Sequence, residues 1–151
     1  MQKIEFTFHM KPPSLNSLYV TNPKTGRRFP SKEGGIWKKY VSETLSHLRA
    51  EIFEFETNVS IYENCLRGEI LIEVPMCDLM TKKGYLSKKF GDVANREKVV
   101  FDAIFKEFDK LDDVMLTPVL LEKIPSRDNE YHTHVSLYKE NLDDLLNRVK
   151  Q

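Results

Sequence analysis

The stretch Gly91-Asp92-Val93-Ala94-Asn95-Arg96-Glu97-Lys98-Val99-Val100-Phe101-Asp102-Ala103-Ile104, followed by Asp112-Asp113, gathers carboxylates around a single lysine. At about 100° per residue, Asn95, Lys98 and Asp102 fall within roughly 60° of one another on a helix, a polar seam beside a wide apolar face. Lys98 and Asp102 are an i, i+4 pair, and alone they would be an exposed ion pair worth only about a few tenths of a kcal/mol. Asp92 and Asp112-Asp113 change that reading, because strand, turn and helix can fold back so that these carboxylates meet at one edge of a sheet. Two carboxylates 4 Å apart repel by about 4 kcal/mol at an effective dielectric near 20, and a divalent cation removes the repulsion. Oxygen-only ligands suit Mg²⁺ or Mn²⁺, which take one or two carboxylates and complete their shell with water and substrate phosphate. A lysine beside such a site can stabilise a phosphoryl transition state or help position a water. The chemistry expected is phosphodiester hydrolysis.

Charge placement agrees. The net charge is zero, with 23 basic and 23 acidic residues, but the two signs are segregated. Lys11, Lys24, Arg27, Arg28, Lys32, Lys38 and Lys39 are opposed only by Glu33, among prolines and glycines that suggest a long basic loop. Lys82, Lys83, Lys88 and Lys89 form a second basic stretch that ends at Gly91. A lone lysine is usually a solvated surface charge, but two basic loops converging on one site make a positive face for phosphate. Tyr19, Phe29, Trp37 and Tyr40 interleave with the first loop; Tyr19 or Phe29 could stack on an unpaired base, whereas Trp37 fits a helical core stripe.

The elements that must position these residues follow from periodicity. Residues 3 to 10 alternate as a half-buried strand, with Ile4, Phe6, Phe8 and Met10 on one side. Trp37, Val41, Leu45, Leu48, Ile52 and Phe55 predict a helix over 36–55, and residues 69–74 a second strand. A helix over 95–108 would start with Asn95 as its cap. The runs 114–124 and 131–139 read as strands joined by the turn-rich Pro125-Ser126-Arg127-Asp128-Asn129, which favours a hairpin. Asn141 would cap a short last helix. The order strand, helix, strand, helix, strand, strand predicts an α/β fold with helices packed on a mixed sheet. At 151 residues the chain is expected to be one domain.

Asp92-x-x-Asn95-x-x-Lys98-x-x-x-Asp102-Ala103-Ile104 with Leu111-Asp112-Asp113 resembles the signature of the RusA family of Holliday-junction resolvases. Pro12-Pro13-Ser14-Leu15-Asn16-Ser17-Leu18-Tyr19 is similar to the P-P-S-x-N motif that follows that family's first strand. The resemblance runs from the first strand to about Lys139. It implies a small homodimeric, Mg²⁺-dependent endonuclease, cytoplasmic in a bacterial or phage-infected cell. Such an enzyme binds four-way DNA junctions in recombination and repair and nicks opposed strands symmetrically. Asp92 and Asp113 would be metal-binding catalytic carboxylates and Lys98 the catalytic lysine. Asn95 would lie at the site close to DNA, Asp112 would be a further metal ligand, and Asp102 a supporting residue that orients Lys98. Asn16 would order its loop or touch substrate, and Lys11, Arg27, Arg28, Lys32, Lys88 and Lys89 would meet DNA. Where the family has its second aspartate this chain has Ala94. Three accounts of Ala94 stay open: an inactivating substitution, a natural variant that works through Asp92, Asp112 and Asp113, and a natural junction binder that does not cut. A further alternative makes the seam structural and the domain a module for a protein partner.

Other motifs weigh less. His132 and His134 share one face of a strand, a spacing compatible with metal but expected here to mean ordinary packing or exposure. Cys65 and Cys77 form no CxxC and are expected as reduced, packed thiols. No Walker loop, GxGxxG or HExxH occurs. No apolar run approaches the ~18 residues of a membrane span, and the charged start is unlike a signal peptide, so a soluble protein is expected.

Overall fold

The computed structural model describes residues 2–150. Strand β1 (Lys3–Phe8) alternates exposed Lys3, Glu5 and Thr7 with buried Ile4, Phe6 and Phe8. After a 3-10 turn (Leu15–Ser17), β2 (Tyr19–Thr21) and β3 (Arg28–Pro30) form a small antiparallel ribbon within the expected basic loop. Helices α1 (Lys32–Ser46) and α2 (Arg49–Thr57) follow, then β4 (Asn64–Val74), the short α3 (Met76–Leu79) and α4 (Ala94–Phe105). Strands β5 (Leu116–Pro125) and β6 (His132–Asn141) precede α5 (Leu142–Asn147). The fold is a mixed sheet with helices packed on it, as the order of elements predicts.

The main sheet runs β1-β6-β4-β5, with β4 parallel to β5 and antiparallel to β6. The expected β5–β6 hairpin therefore does not form, because β4 lies between the two strands. Parallel pairing of β4 with β5 needs a crossover, which α4 supplies. Pro118 and Pro125 lack amide donors and suit β5 to the edge of the sheet.

Local boundaries differ from expectation for identifiable reasons. The helix over 36–55 is two helices, broken at His47 and Leu48. α1 starts early because Ser31 Oγ accepts from the Gly34 amide at 3.0 Å, so Lys32, Lys38 and Lys39 stand on a helix rather than a loop. Asn95 does not cap α4; Asp92 Oδ1 accepts from the Ala94 amide at 3.0 Å instead. Asn141 does cap α5, accepting from the Asp143 amide at 2.9 Å. Cys65 is buried, but Cys77 is exposed.

One core joins α1 (Trp37, Val41, Leu45), α2 (Ile52, Phe55) and α4 (Val99, Val100, Ile104) to Phe6, Phe8, Ile70, Ile72, Val135 and Leu137 of the sheet. α4 sits close on β4: a Cβ at Gly68 would lie 2.6 Å from Phe101 Cζ. The opposite sheet face carries Glu5, Thr7, Glu69, Glu73, His134 and Tyr138 and is partly solvated. No described helix is long and apolar enough to cross a membrane.

Candidate active site

α4 turns Val99, Val100 and Ile104 into the core and leaves Ala94, Asn95, Lys98 and Asp102 exposed, the seam that the spacing predicts. Lys98 Nζ donates to Asp102 Oδ1 at 3.3 Å. The chain then returns toward β5 through a 3-10 turn (Asp113–Met115), where Asp112 Oδ1 accepts from the Val114 amide at 3.1 Å. The Asp112 and Asp113 side chains share a hydrogen bond, which holds Asp112 below the usual carboxylate range and pushes Asp113 above it. The charge of Asp102 adds to the rise at Asp113, and that of Lys98 opposes it. Lys98, Asp102, Asp112 and Asp113 thus act on one another as a single constellation, and Asp102, Phe105, Lys106, Leu111, Asp112 and Asp113 line a shallow hollow.

Asp92 does not join them. It precedes the first turn of α4, and the carbonyl of its neighbour Gly91 accepts from Lys123 Nζ near the C-terminal end of β5 at 3.2 Å. Asp112 and Asp113 instead lead into the N-terminal end of that strand. A helix of 12 residues separates the two places, about 18 Å at 1.5 Å per residue. The carboxylates therefore flank Lys98 from two sides rather than meeting at one edge. Among the described residues no three His, Cys, Asp or Glu side chains converge as a metal cage. The Asp112–Asp113 pair nonetheless fits a hard cation: its oxygens are the right donors, two carboxylates suffice for Mg²⁺, and a cation would relieve the repulsion that helps raise Asp113.

The two motifs are tied together by Arg96, which is buried at 6% exposure. Its Nη1 donates to the Pro12 carbonyl and its Nη2 to the Phe90 carbonyl at 2.6 Å, while its guanidinium lies 4.4 Å from the Phe90 ring centroid. Lys11 and Lys123 also stand over that ring, at 5.6 Å each. Burial, and next the charge of Arg96, lower the Lys11 ammonium from its ordinary value, and Lys89 acts in the same direction. The two basic segments thus approach each other at Lys11 and Lys89, although Lys89 is paired with Asp78 at 2.6 Å. Asn16 is exposed and does not order its loop; Ser31 Oγ does so, donating to the Ser17 carbonyl at 2.5 Å, together with the Ser14–Ser17 contact at 3.0 Å.

A second basic group borders the other half of α4. Arg28 and Lys38 lie 5.0 and 4.9 Å from the Tyr19 ring centroid, and Lys38 Nζ donates to Tyr19 Oη at 3.3 Å. Tyr19, Lys38, Lys39, Asp102 and Lys106 line a groove of about 400 Å³ between α1 and α4. With both cations at its ring, Tyr19 organises charge rather than offering a bare stacking face. Phe29 is exposed on β3 beside Arg27 and Arg28. Lys32 opens α1, and Lys88 is exposed in the loop before Phe90. Sequence reasoning missed Arg96, Lys106 and Lys123, whose neighbours are set by tertiary contacts; only the position of Arg96 inside the motif could have drawn notice. The chain matches no protein-family model and no curated protein.

Proposed function

We propose that this protein is a structure-specific endodeoxyribonuclease of the RusA type that acts on four-way DNA junctions in recombination or repair. The observation that carries this reading is the Asp112–Asp113 pair set against Lys98 and Asp102, with basic residues beside both halves of α4. Mg²⁺, or Mn²⁺ in its place, would be held by Asp112 and Asp113 and would polarise a phosphoryl oxygen. Lys98 sits midway along the seam, where its ammonium can stabilise charge on the phosphate under attack. Asp102 orients Lys98. Asp92, about a helix length from Asp113, would not share that cation; with Asn95 it would meet a neighbouring phosphate at the start of the seam. Lys38, Lys39 and Lys106 on one side, and Lys11 on the other, neutralise flanking phosphates. A homodimer would present two such sites to the two equivalent strands of a junction.

The exposed Ala94 favours a second reading, a junction binder that does not cut, because it places a methyl group on the seam where a carboxylate is expected. One experiment decides between them: the chain and its Ala94→Asp variant are compared on a labelled four-way junction and a matched linear duplex, with binding in EDTA and nicking in Mg²⁺. Position 94 is solvent-facing at a helix start, where a carboxylate is tolerated, so the variant should fold. Junction preference in both with cutting only by the variant supports a silenced nuclease, and cutting by both means the remaining carboxylates suffice. No junction preference in either overturns the proposal.

A further inference from the structure

Three of the four histidines, His9, His132 and His134, gather on the polar sheet face, on the side away from α4. His9 directly follows β1, whose pairing with β6 ends where Phe8 faces Thr133. Its ring meets that of His132 edge-on with centroids 5.0 Å apart, and the two Nδ1 atoms are separated by 2.8 Å. Asp128 engages the other nitrogen of His132, its carboxylate oxygens lying 2.7 and 2.9 Å from Nε2. An ionised carboxylate only accepts, so Nε2–H of His132 donates to Asp128, and in the neutral ring Nδ1 is left to accept from His9 Nδ1. His134 packs beside it with ring centroids 6.3 Å apart, and both its nitrogens are engaged, Nε2 by Glu73 at 2.7 Å and Nδ1 by Thr7 at 3.2 Å.

A carboxylate held on one imidazole nitrogen is the arrangement that orients a histidine for metal binding through the other. We propose that His9 and His132 chelate a divalent cation of the Cu²⁺ or Ni²⁺ class through their Nδ1 atoms, with Asp128 as the positioning residue for His132. Two nitrogens about 2.0 Å from a metal and about 90° apart stand about 2.8 Å from each other, whereas a tetrahedral angle would set them about 3.3 Å apart. As it stands the 2.8 Å contact is a hydrogen bond; a tetragonal cation that takes imidazole would replace its proton and keep the two nitrogens near their present separation. No third His, Cys, Asp or Glu side chain completes a cage among the described residues, so water fills the remaining positions. Mg²⁺, which prefers oxygen, is not expected here. The site does not rest on the nuclease reading and lies across the sheet from α4.

The test is isothermal titration of untagged protein with Ni²⁺, Cu²⁺ and Mg²⁺ in a non-coordinating buffer near neutral pH. His9→Ala, His132→Ala, Asp128→Asn and, as a control, His47→Ala are titrated alongside it. Circular dichroism melting confirms that each variant is folded; His9 is exposed, so His9→Ala does not depend on a buried contact. The expected result is one Ni²⁺ or Cu²⁺ site and no Mg²⁺ response. His9→Ala and His132→Ala should each weaken the site at least ~10-fold and Asp128→Asn ~10–100-fold, with His47→Ala unchanged. Absence of binding by the unmodified protein overturns the proposal. Binding that survives either histidine substitution in a folded variant does so too, because a single imidazole would then suffice.

Discussion

The buried guanidinium of Arg96 donates to the carbonyl oxygen of Pro12, 84 residues earlier in the chain. With its second bond to the Phe90 carbonyl, Arg96 fixes the loop after β1 against the segment that leads into α4. Replacing it leaves two carbonyls without their donor in a dry place, and each unsatisfied buried acceptor costs about 1–3 kcal/mol. Arg96→Ala should therefore lower unfolding free energy by about 2–4 kcal/mol, measured by urea denaturation. A change below about 1 kcal/mol would mean that the two loops hold together without this clamp.

On the proposed nuclease reading, the interaction between Asp112 and Asp113 would make nicking pH-dependent. Mg²⁺ held by the pair would need both carboxylates ionised, and Asp113 is the one pushed above its ordinary value. Nicking by whichever form of the chain cuts should rise as pH climbs through the raised value of Asp113 and then level off. In Asp112→Asn the principal cause of that rise is gone, so the residual rate should show its acidic limb at lower pH. An unmoved limb would assign the titration to another group.

Much of this site was legible in the sequence, for reasons that also explain what was not. Helical spacing alone places Asn95, Lys98 and Asp102 on one exposed face and Val99, Val100 and Ile104 on the other, and the structure agrees. Alternation was equally sufficient for β1. Pairing is different: β5 and β6 are adjacent in sequence with a turn-rich linker, yet each chooses β4, because strand partners depend on which strand carries the buried surface on offer. The separation of Asp92 from Asp113 is set by the length and direction of α4 against the strands, which no local pattern encodes. The Ser31 cap that draws Lys32, Lys38 and Lys39 into a helix was readable, but the surrounding prolines and glycines outweighed it.

Acid stability should report on Asp128. Its hydrogen bonds from Ser126, first, and from His132 hold its pKa at about 2, below the ordinary 3.8. A carboxylate lowered in the folded state stabilises the fold above its unfolded value, and that contribution is lost as pH falls through the folded one. The window is therefore between about pH 4 and about pH 2. Melting temperature should fall less steeply across that window in Asp128→Asn than in the parent. Parallel curves would show that the Ser126 and His132 contacts add nothing.

Gly68 lets α4 approach the sheet. Its missing side chain leaves room for the Phe101 ring, whose Cζ would lie 2.6 Å from an added Cβ. Phe101 is itself packed in the core at 2% exposure and has little room to yield. Gly68→Ala should destabilise by about 1–3 kcal/mol, the usual cost of overpacking, as measured by denaturant melting. Phe101→Leu in the same chain should recover part of that loss by shortening the clashing group. If the double variant is no more stable than Gly68→Ala, the contact is not the cause.

On the proposed reading, the groove between α1 and α4 predicts how junction affinity would respond to salt. Lys38, Lys39 and Lys106 line it beside Asp102, the partner of Lys98, so a DNA strand whose phosphate met Lys98 would run its next phosphates past these ammonium groups. Each phosphate contact contributes about 0.9 to the negative slope of log affinity against log salt. Removing Lys38 or Lys106 by alanine should reduce that slope by about 1 and weaken binding alike on junctions of different sequence. Tyr19→Phe keeps the ring between Arg28 and Lys38 but deletes the hydroxyl that Lys38 bonds at 3.3 Å, so it should lower affinity less than Lys38→Ala and leave the slope intact. A slope unchanged by both lysine substitutions would remove the groove from the DNA path. It would leave Lys11 and its neighbours at the start of α4 as the phosphate contacts.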